Sequence, residues 1–304
     1  MTSPTTSHAW SSVPSSGGTV EEHLGPFPFR PFLETVWHYR LEGSARVIAS
    51  SDGSNTVALS VSDSTISFVG EENLTDYHSP IGRSFGPLLA EILRGFPGHS
   101  YRFDSMPIEV ARIVSQALES LGAPVSLVQH DAAAVLSLPT TFDGWLGGLV
   151  KKERHEVRRK RRRLEEAFGT PTIERMGSEA VHRFCEMHRT SSGDKGTFMT
   201  TEMERYFTDL VVEAGATIHG LMCDGVMRAA AFGFETDDGY FYYNSAYDVD
   251  AASGSPGVVL VASMIEAQIQ RGAEVFDFLK GDERYKFRMG AEARPLYVIE
   301  GRLP

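Results

Sequence analysis

Two Asp-Gly turns in the second half of the chain separate three apolar, alternating segments, and they restrict that half more than any other feature does. Residues 217–223 and 226–234 are joined through Asp224-Gly225, and residues 226–234 and 240–246 through Asp237-Asp238-Gly239. Glycine accepts the positive φ that a tight hairpin turn requires, so these segments predict three consecutive antiparallel strands. Helical patterns at 178–190 and 200–214 precede them. Ser255-Pro256-Gly257 then opens a helix that Gly272 stops. Proline suits a first helical turn and glycine the position past the last one. A strand at 274–279, a short helix around 282–288 and a closing strand at 296–300 complete the order.

The first half predicts a mixed α/β unit around one sheet. Its strand candidates are 45–50, 56–62, 65–69, 101–103, 125–129 and 135–138, and its helix candidates 85–94 and 107–121. Residues 142–168 read as one helix ended by Gly169-Thr170-Pro171. The first 24 residues form an expected disordered tail, since residues 2–19 hold fourteen Ser, Thr, Pro or Gly.

A length of 304 residues suits two domains. The expected boundaries are 25–140 for the first, 141–170 for a connecting helix and 171–304 for the second. No run approaches the ~18–20 apolar residues of a membrane span, and residues 1–24 lack a secretory signal pattern. Cys185 and Cys223 stand far apart without a second pair for a metal site, so both are expected to pack as apolar side chains in a reducing cytoplasm.

The net charge of −11 conceals an asymmetry, because residues 151–163 alone carry +7 and the rest of the chain −18. Such a protein is not built to coat nucleic acid nonspecifically. The basic helix reads either as a site for a phosphate-rich partner or as a solvated helix between acidic domains. The absence of interleaved aromatics favours the second, with His155 part of its face.

Two clusters carry candidate chemistry. Backbone N–H groups at Gly254, Ser255, Pro256, Gly257 and Val258, where a helix begins, suit a phosphate anion, with Pro256 removing one orphan donor and Gly257 allowing close approach. Asp282, Tyr285 and Lys286 follow the strand end at Gly281, where a carboxylate and a phenol can move protons. The bland reading makes Asp282 a cap, Tyr285 a packing residue and Lys286 solvated. If the short helix begins at 282, Asp282 and Tyr285 share one face. Tyr242 or Asn244 is a pocket-lining candidate beside Glu235 and Tyr243, and the 191–198 loop a cover with His188 and Arg189. A tyrosine-rich strand more often simply packs, and a lone His at a helix end is more often structural.

Three segments occur in a telling order: Phe68-Val69-Gly70 with Asp76-Tyr77; Phe142 and Leu146 leading into KKERHEVRRKRRRLEE; and Ser255-Pro256-Gly257, then FDFLKGDERYKFR with Arg294-Pro295-Leu296-Tyr297. Together they resemble the GNAT-fold acetyltransferases associated with cellulose biosynthesis (the CelD/BcsL type), which are similar in turn to Fem-type peptidyltransferases. The resemblance implies tandem GNAT-like α/β domains, the first free of cofactor. It further implies an N-acyltransferase that takes an acyl group, most simply acetyl, from CoA to an amine of a small-molecule, sugar, peptide or cell-envelope acceptor. In this family a tyrosine in the region of Tyr285 often serves as the acid. The usual Arg/Gln-x-x-Gly-x-Gly/Ala phosphate loop is replaced here by Ala251–Gly257. Two alternatives stay open: Fem-like transfer from aminoacyl-tRNA, and a non-catalytic GNAT scaffold binding a biosynthetic complex or glycan.

Overall fold

The structure is a computed structural model and describes residues 10–20, 22–191 and 194–304. Its first elements are α1 (Arg30–Arg40), β1 (Arg46–Ser51), β2 (Thr56–Val61), β3 (Thr65–Phe68), α2 (Gly86–Leu93), β4 (Ser100–Met106), α3 (Ile108–Glu119) and β5 (Leu127–Ser137). There follow α4 (Phe142–Gly148), α5 (Lys151–Phe168), β6 (Pro171–Met176), α6 (Val181–Arg189), α7 (Asp194–Phe198) and α8 (Thr201–Val212). The remainder is β7 (Ala216–Cys223), β8 (Val226–Glu235), β9 (Gly239–Tyr247), α9 (Pro256–Arg271), β10 (Val275–Lys280), α10 (Arg284–Arg288) and β11 (Glu292–Arg302). This is a mixed α/β fold.

The chain divides into two compact units. The first runs to Ala133 and takes in Arg294–Pro304; the second is Ala134–Ala293. The closing strand therefore groups with the first unit, and the basic helix lies inside the second instead of standing between domains.

In the first unit the strands follow the order β1-β2-β3-β4-β11. β3 and β4 are parallel, while β1/β2, β2/β3 and β4/β11 are antiparallel. Its core gathers Val57, Leu59, Phe85, Leu89, Val110, Val114 and Ile299. The expectation of a disordered tail lies outside the described residues for 1–9 but fails beyond them. Trp10 and Val13 are buried, and the Trp10 ring meets Trp37 edge-on at 6.0 Å. Composition hid this because two apolar side chains are enough to anchor a Ser/Pro-rich segment.

The second unit holds the strand order β10-β9-β8-β7-β6, flanked by the end of β5. β7, β8 and β9 are antiparallel, as the Asp-Gly turns predict, and β9 and β10 are parallel. Its core joins Trp145, Leu146, Leu164, Tyr242, Leu260, Ile265, Phe276 and Phe278.

Two expectations need correction. Residues 127–137 form one strand, not two, with Ala133 and Ala134 fully buried between the two expected segments. The helix expected over 142–168 is broken at Leu149–Val150, both extended. Gly147-Gly148 weakens the helix there through backbone entropy. The bend allows Trp145, Leu146 and Leu149 to be buried, with Trp145 Nε1 donating to Met289 O at 2.9 Å.

Candidate active site

The feature that organises the second unit is a fork between its two parallel strands. β9 and β10 pair only at Val275↔Gly239, Phe276↔Tyr240 and Asp277↔Phe241, although β9 runs on to Tyr247 and β10 to Lys280. Each strand has its own reason to part. Against β8, the register passes from Phe234↔Phe241 to Phe232↔Asn244, so two steps on β8 meet three on β9. The extra residue, at Tyr242 or Tyr243, makes a β-bulge, which bends a strand and leaves backbone groups unpaired. On β10, Leu279 adopts φ +62°, left-handed for a non-glycine residue. A strained backbone of this kind costs about 1–3 kcal/mol and must be held in place. Asp277, fully buried, provides part of the hold: its Oδ1 accepts from Leu279 N–H at 2.7 Å. The sequence reading overlooked Asp277, which stands out only as an acid between Phe276 and Phe278 in an otherwise apolar strand.

α9 begins at the end of β9, after a 3-10 turn at Val249–Gly254. Ser255 is its N-cap, left-handed at φ 58°, and Pro256 occupies the first turn. Val258 N–H bonds back to Ser255 O at 3.1 Å. Pro256 has no N–H, so Gly257 offers the first-turn donor that α9 itself cannot satisfy. A Cβ on Gly257 would find nothing closer than Tyr247 Cδ1 at 3.9 Å, and Ser255, Gly257 and Val258 are half-buried. That side of the loop is open to an anion.

Gly254 and Pro256 are buried, and Gly254 serves another purpose. A Cβ there would lie 2.6 Å from Leu164 Cδ1 and 3.2 Å from Phe168 Cε2, so its missing side chain is what lets α5 dock. The expectation that Gly254 cradles a phosphate is corrected to a packing role.

Of the three residues after β10, Tyr285 alone faces the fork. Its ring meets Phe278 edge-on at 6.1 Å, and Phe278 meets Tyr242 of β9 at 6.0 Å. Although Tyr285 is 36% exposed, burial of its surroundings, with lesser contributions from Tyr242 and Glu283, raises its pKa. Burial likewise raises that of Tyr242. Both phenols therefore carry their protons at neutral pH.

Lys286 is 3% exposed, its Nζ bonded to Lys280 O at 2.5 Å and paired with Glu283 Oε2 at 2.9 Å. It clamps the β10–α10 turn instead of being solvated. Asp282 is exposed and precedes α10, whose N-cap is Glu283 without a side-chain capping bond. The expected common face of Asp282 and Tyr285 is thus absent, because the helix starts two residues later than the sequence suggested.

The remaining candidates are held by side-chain contacts within the second unit. Glu235 is bonded to His219 at 3.4 Å, to Gln268 Nε2 at 3.2 Å and to Arg175 at 3.0 Å, and these partners, His219 foremost, hold its carboxyl at about 2. It ties the last turns of α9 to β8. Tyr243 OH meets Tyr206 OH at 3.0 Å, and buried His188 packs between Phe184 and Phe198. Asn244 Oδ1 accepts from Ser245 N–H at 2.7 Å. The 191–198 loop contains α7, with residues 192 and 193 outside the described residues. Cys185 and Cys223 are buried and free, and burial pushes the Cys185 thiol up to about 12.

In the basic helix α5, Val157 and Leu164 are buried, each contributing about 2 kcal/mol by removal of apolar surface from water. Arg154 caps α4 through Gly147 O at 3.2 Å, Arg159 pairs with Glu156 at 2.8 Å and Arg161 with Glu266 at 2.9 Å. Exposed pairs of this kind contribute little to stability. In the first unit, Glu72, Asp104 and His130 bring ligand atoms within 4.8 Å of one another, but Arg102 already supplies their counter-charge, 3.0 Å from Glu72.

The segment that contains the forked strands, the bulge and the start of α9 matches a known domain. Residues 151–287 match the family model described as an acetyltransferase (GNAT) domain. This segment is a GNAT-type acetyltransferase domain. The protein is accordingly an acyltransferase. The GNAT match begins at Lys151, the first residue of α5, so the basic helix is part of the matched domain.

No curated protein matches the chain. Among solved structures, a conserved protein of unknown function from Bacteroides thetaiotaomicron is 10% identical with a TM-score of 0.64, covering 99% of this chain and 98% of its own. FemX is 14% identical with a TM-score of 0.63, covering 98% of this chain and 96% of its own. L-PGS from Bacillus licheniformis is 14% identical with a TM-score of 0.62, covering 91% of this chain and 93% of its own. At these identities the likeness is one of fold.

Proposed function

We propose that the protein transfers an acyl group, most simply acetyl, from CoA to an amine. The observation that carries this reading is the fork, where β9 and β10 part after three pairs beside a bulge in β9. Acyl-CoA supplies a thioester, and the chain supplies its surroundings. At the start of α9 the Gly257 N–H, flanked by Ser255 and Val258, suits the phosphates, which that open donor and the dipole of a 16-residue helix favour. The loop lacks an arginine of its own, and nearby Arg228 is already paired with Asp248 at 3.0 Å. Binding then depends on backbone donors.

Backbone groups freed by the bulge at Tyr242 and Tyr243 can stabilise negative charge on the acyl oxygen. Tyr285, protonated at neutral pH, can give its proton to the leaving thiolate. Asp277 and Lys286 hold the fork and turn in shape.

The three-segment resemblance further supports a place in the cellulose-biosynthesis branch and an acceptor among envelope or polysaccharide building blocks. Two buried free cysteines fit a cytoplasmic setting. A second reading, Fem-like transfer from aminoacyl-tRNA, draws on the fold likeness to FemX and on the exposed cations of α5. Titration calorimetry separates the two. Acetyl-CoA binding that is lost when Gly257 is enlarged supports the first. No heat at millimolar acetyl-CoA, with charged tRNA bound in a steeply salt-dependent way, establishes the second in its place.

A further inference from the structure

A groove beside α10 holds chemistry that donor binding does not use. It measures about 510 Å³, with Leu149, Val150 and Glu153 on one side and Arg284, Phe287 and Arg288 on the other. Small-molecule sites typically span ~300–1,000 Å³. Its apolar part is accessible, since Val150 is 68% and Phe287 38% exposed.

The groove is lined by two arginines and one acid, and Lys151 and Lys152 lie in the chain between the lining residues Val150 and Glu153. Arg284 has no ion pair among the described residues, and neither do Lys151 and Lys152, the first two residues of α5. Arg288 reaches Glu153 only at 3.8 Å. Lys151 and Lys152 also stand where an 18-residue helix presents partial positive charge, and the acid of that turn, Glu153, is the one that faces Arg288.

The phosphates of CoA cannot be that anion if they lie at the α9 loop. The loop touches α5 at Leu164, and the groove touches it at Val150. Fourteen residues of helix at ~1.5 Å each separate those points by roughly 20 Å. Tyr285 does not line the groove, but it lies on the same short helix as the lining residues Arg284 and Phe287, with its ring turned to Phe278.

We infer that this groove receives the acyl acceptor, and that the acceptor is an amine bearing a phosphate or carboxylate. The inference rests on the acyl-transfer reading. The anion sits among Arg284, Lys151 and Lys152, the acceptor's carbon frame lies on Val150 and Phe287, and the amine points toward Tyr285. As the acyl–nitrogen bond forms and the acyl–sulfur bond breaks, the amine releases one proton to solvent. The thiolate takes one from Tyr285, which solvent restores.

The test reads occupancy directly. Both native cysteines are buried, so Val150→Cys can be labelled selectively with an environment-sensitive fluorophore. The labelled full chain is titrated with glucosamine 6-phosphate against glucosamine, and with β-alanine against β-alanine amide. One charged member is expected to bind about tenfold or more tightly than its neutral partner, as charge-assisted contacts allow. The pair that responds tells phosphate from carboxylate. Adding Arg284→Gln and Lys151→Gln should abolish the preference with the melting temperature unchanged. Equal binding of charged and neutral members, or a preference that survives both substitutions, overturns the inference. The signal does not involve CoA, so failure of acetyl-CoA to bind would overturn the donor reading separately.

Discussion

Gly254 and Gly257 lie three residues apart in one loop, and replacing each by alanine should separate packing from binding. At Gly254 the new methyl would sit 2.6 Å from Leu164 Cδ1, 3.2 Å from Phe168 Cε2 and 3.3 Å from Leu164 Cα. Leu164 is fully buried, so it has little room to rotate away, and the backbone atom at 3.3 Å must also give. Overpacking of this kind costs about 1–3 kcal/mol. At ~2–4 °C per kcal/mol for a domain of this size, Gly254→Ala should lower the melting temperature by roughly 2–12 °C.

At Gly257 the nearest atom is 3.9 Å away and φ is ordinary, so alanine fits. It should stabilise the helix by about 0.5–1 kcal/mol while crowding the only open first-turn donor. The expected result for Gly257→Ala is an unchanged or slightly higher melting temperature and a clearly raised KM for acetyl-CoA. Scanning calorimetry and initial rates on both variants make the comparison. A third variant, Leu164→Ala in the Gly254→Ala background, should lose less stability than the two changes summed, because the new methyl partly fills the cavity. A stable Gly254→Ala protein with weakened acetyl-CoA binding would refute the packing assignment. A Gly257→Ala protein with unaltered KM would refute the phosphate site.

Tyr285→Phe should retain folding and acetyl-CoA affinity while kcat falls by roughly 10²–10⁴-fold, as stopped-assay rates would show; full activity would remove the phenol from the mechanism. Lys286→Met should destabilise the protein by about 1–3 kcal/mol in urea unfolding, since carbonyls of the β10–α10 turn lose their donor. Glu235 has a folded pKa depressed from 4.5 to about 2, so the stability it contributes is fully present above pH 4.5 and is lost as pH falls toward 2. Glu235→Gln should therefore flatten the decline of melting temperature across that window, and an identical decline in both proteins would show that the carboxyl is not linked to folding.

The parts of this fold visible in the sequence are those decided locally. Asp224-Gly225 and Gly239 mark the hairpins of β7, β8 and β9 through turn chemistry alone, and Ser255-Pro256 marks the start of α9 by the φ that proline imposes. What stayed hidden depends on partners distant in the chain. The need for glycine at 254 comes from Leu164 and Phe168, which no local pattern connects to it. Trp10 looked like part of a polar tail until Trp37 appeared beside it. Asp277 could be noticed as an acid within an apolar strand, but its bond to a left-handed Leu279 could not. The common face of Asp282 and Tyr285 was expected from a helix starting at 282, and only the structure shows Glu283 as the N-cap.

The most direct test of acyl transfer through the fork is a single experiment with acetyl-CoA and pooled amines that include amino sugars, amino-sugar phosphates and amino acids. Free CoA thiol is measured as it forms, and the amines are analysed by mass spectrometry. The expected result is thiol release matched mole for mole by an acetylated amine, with both signals strongly reduced in Tyr285→Phe. No amine-dependent thiol release from the intact protein, or release equal in the Tyr285→Phe variant, would contradict it.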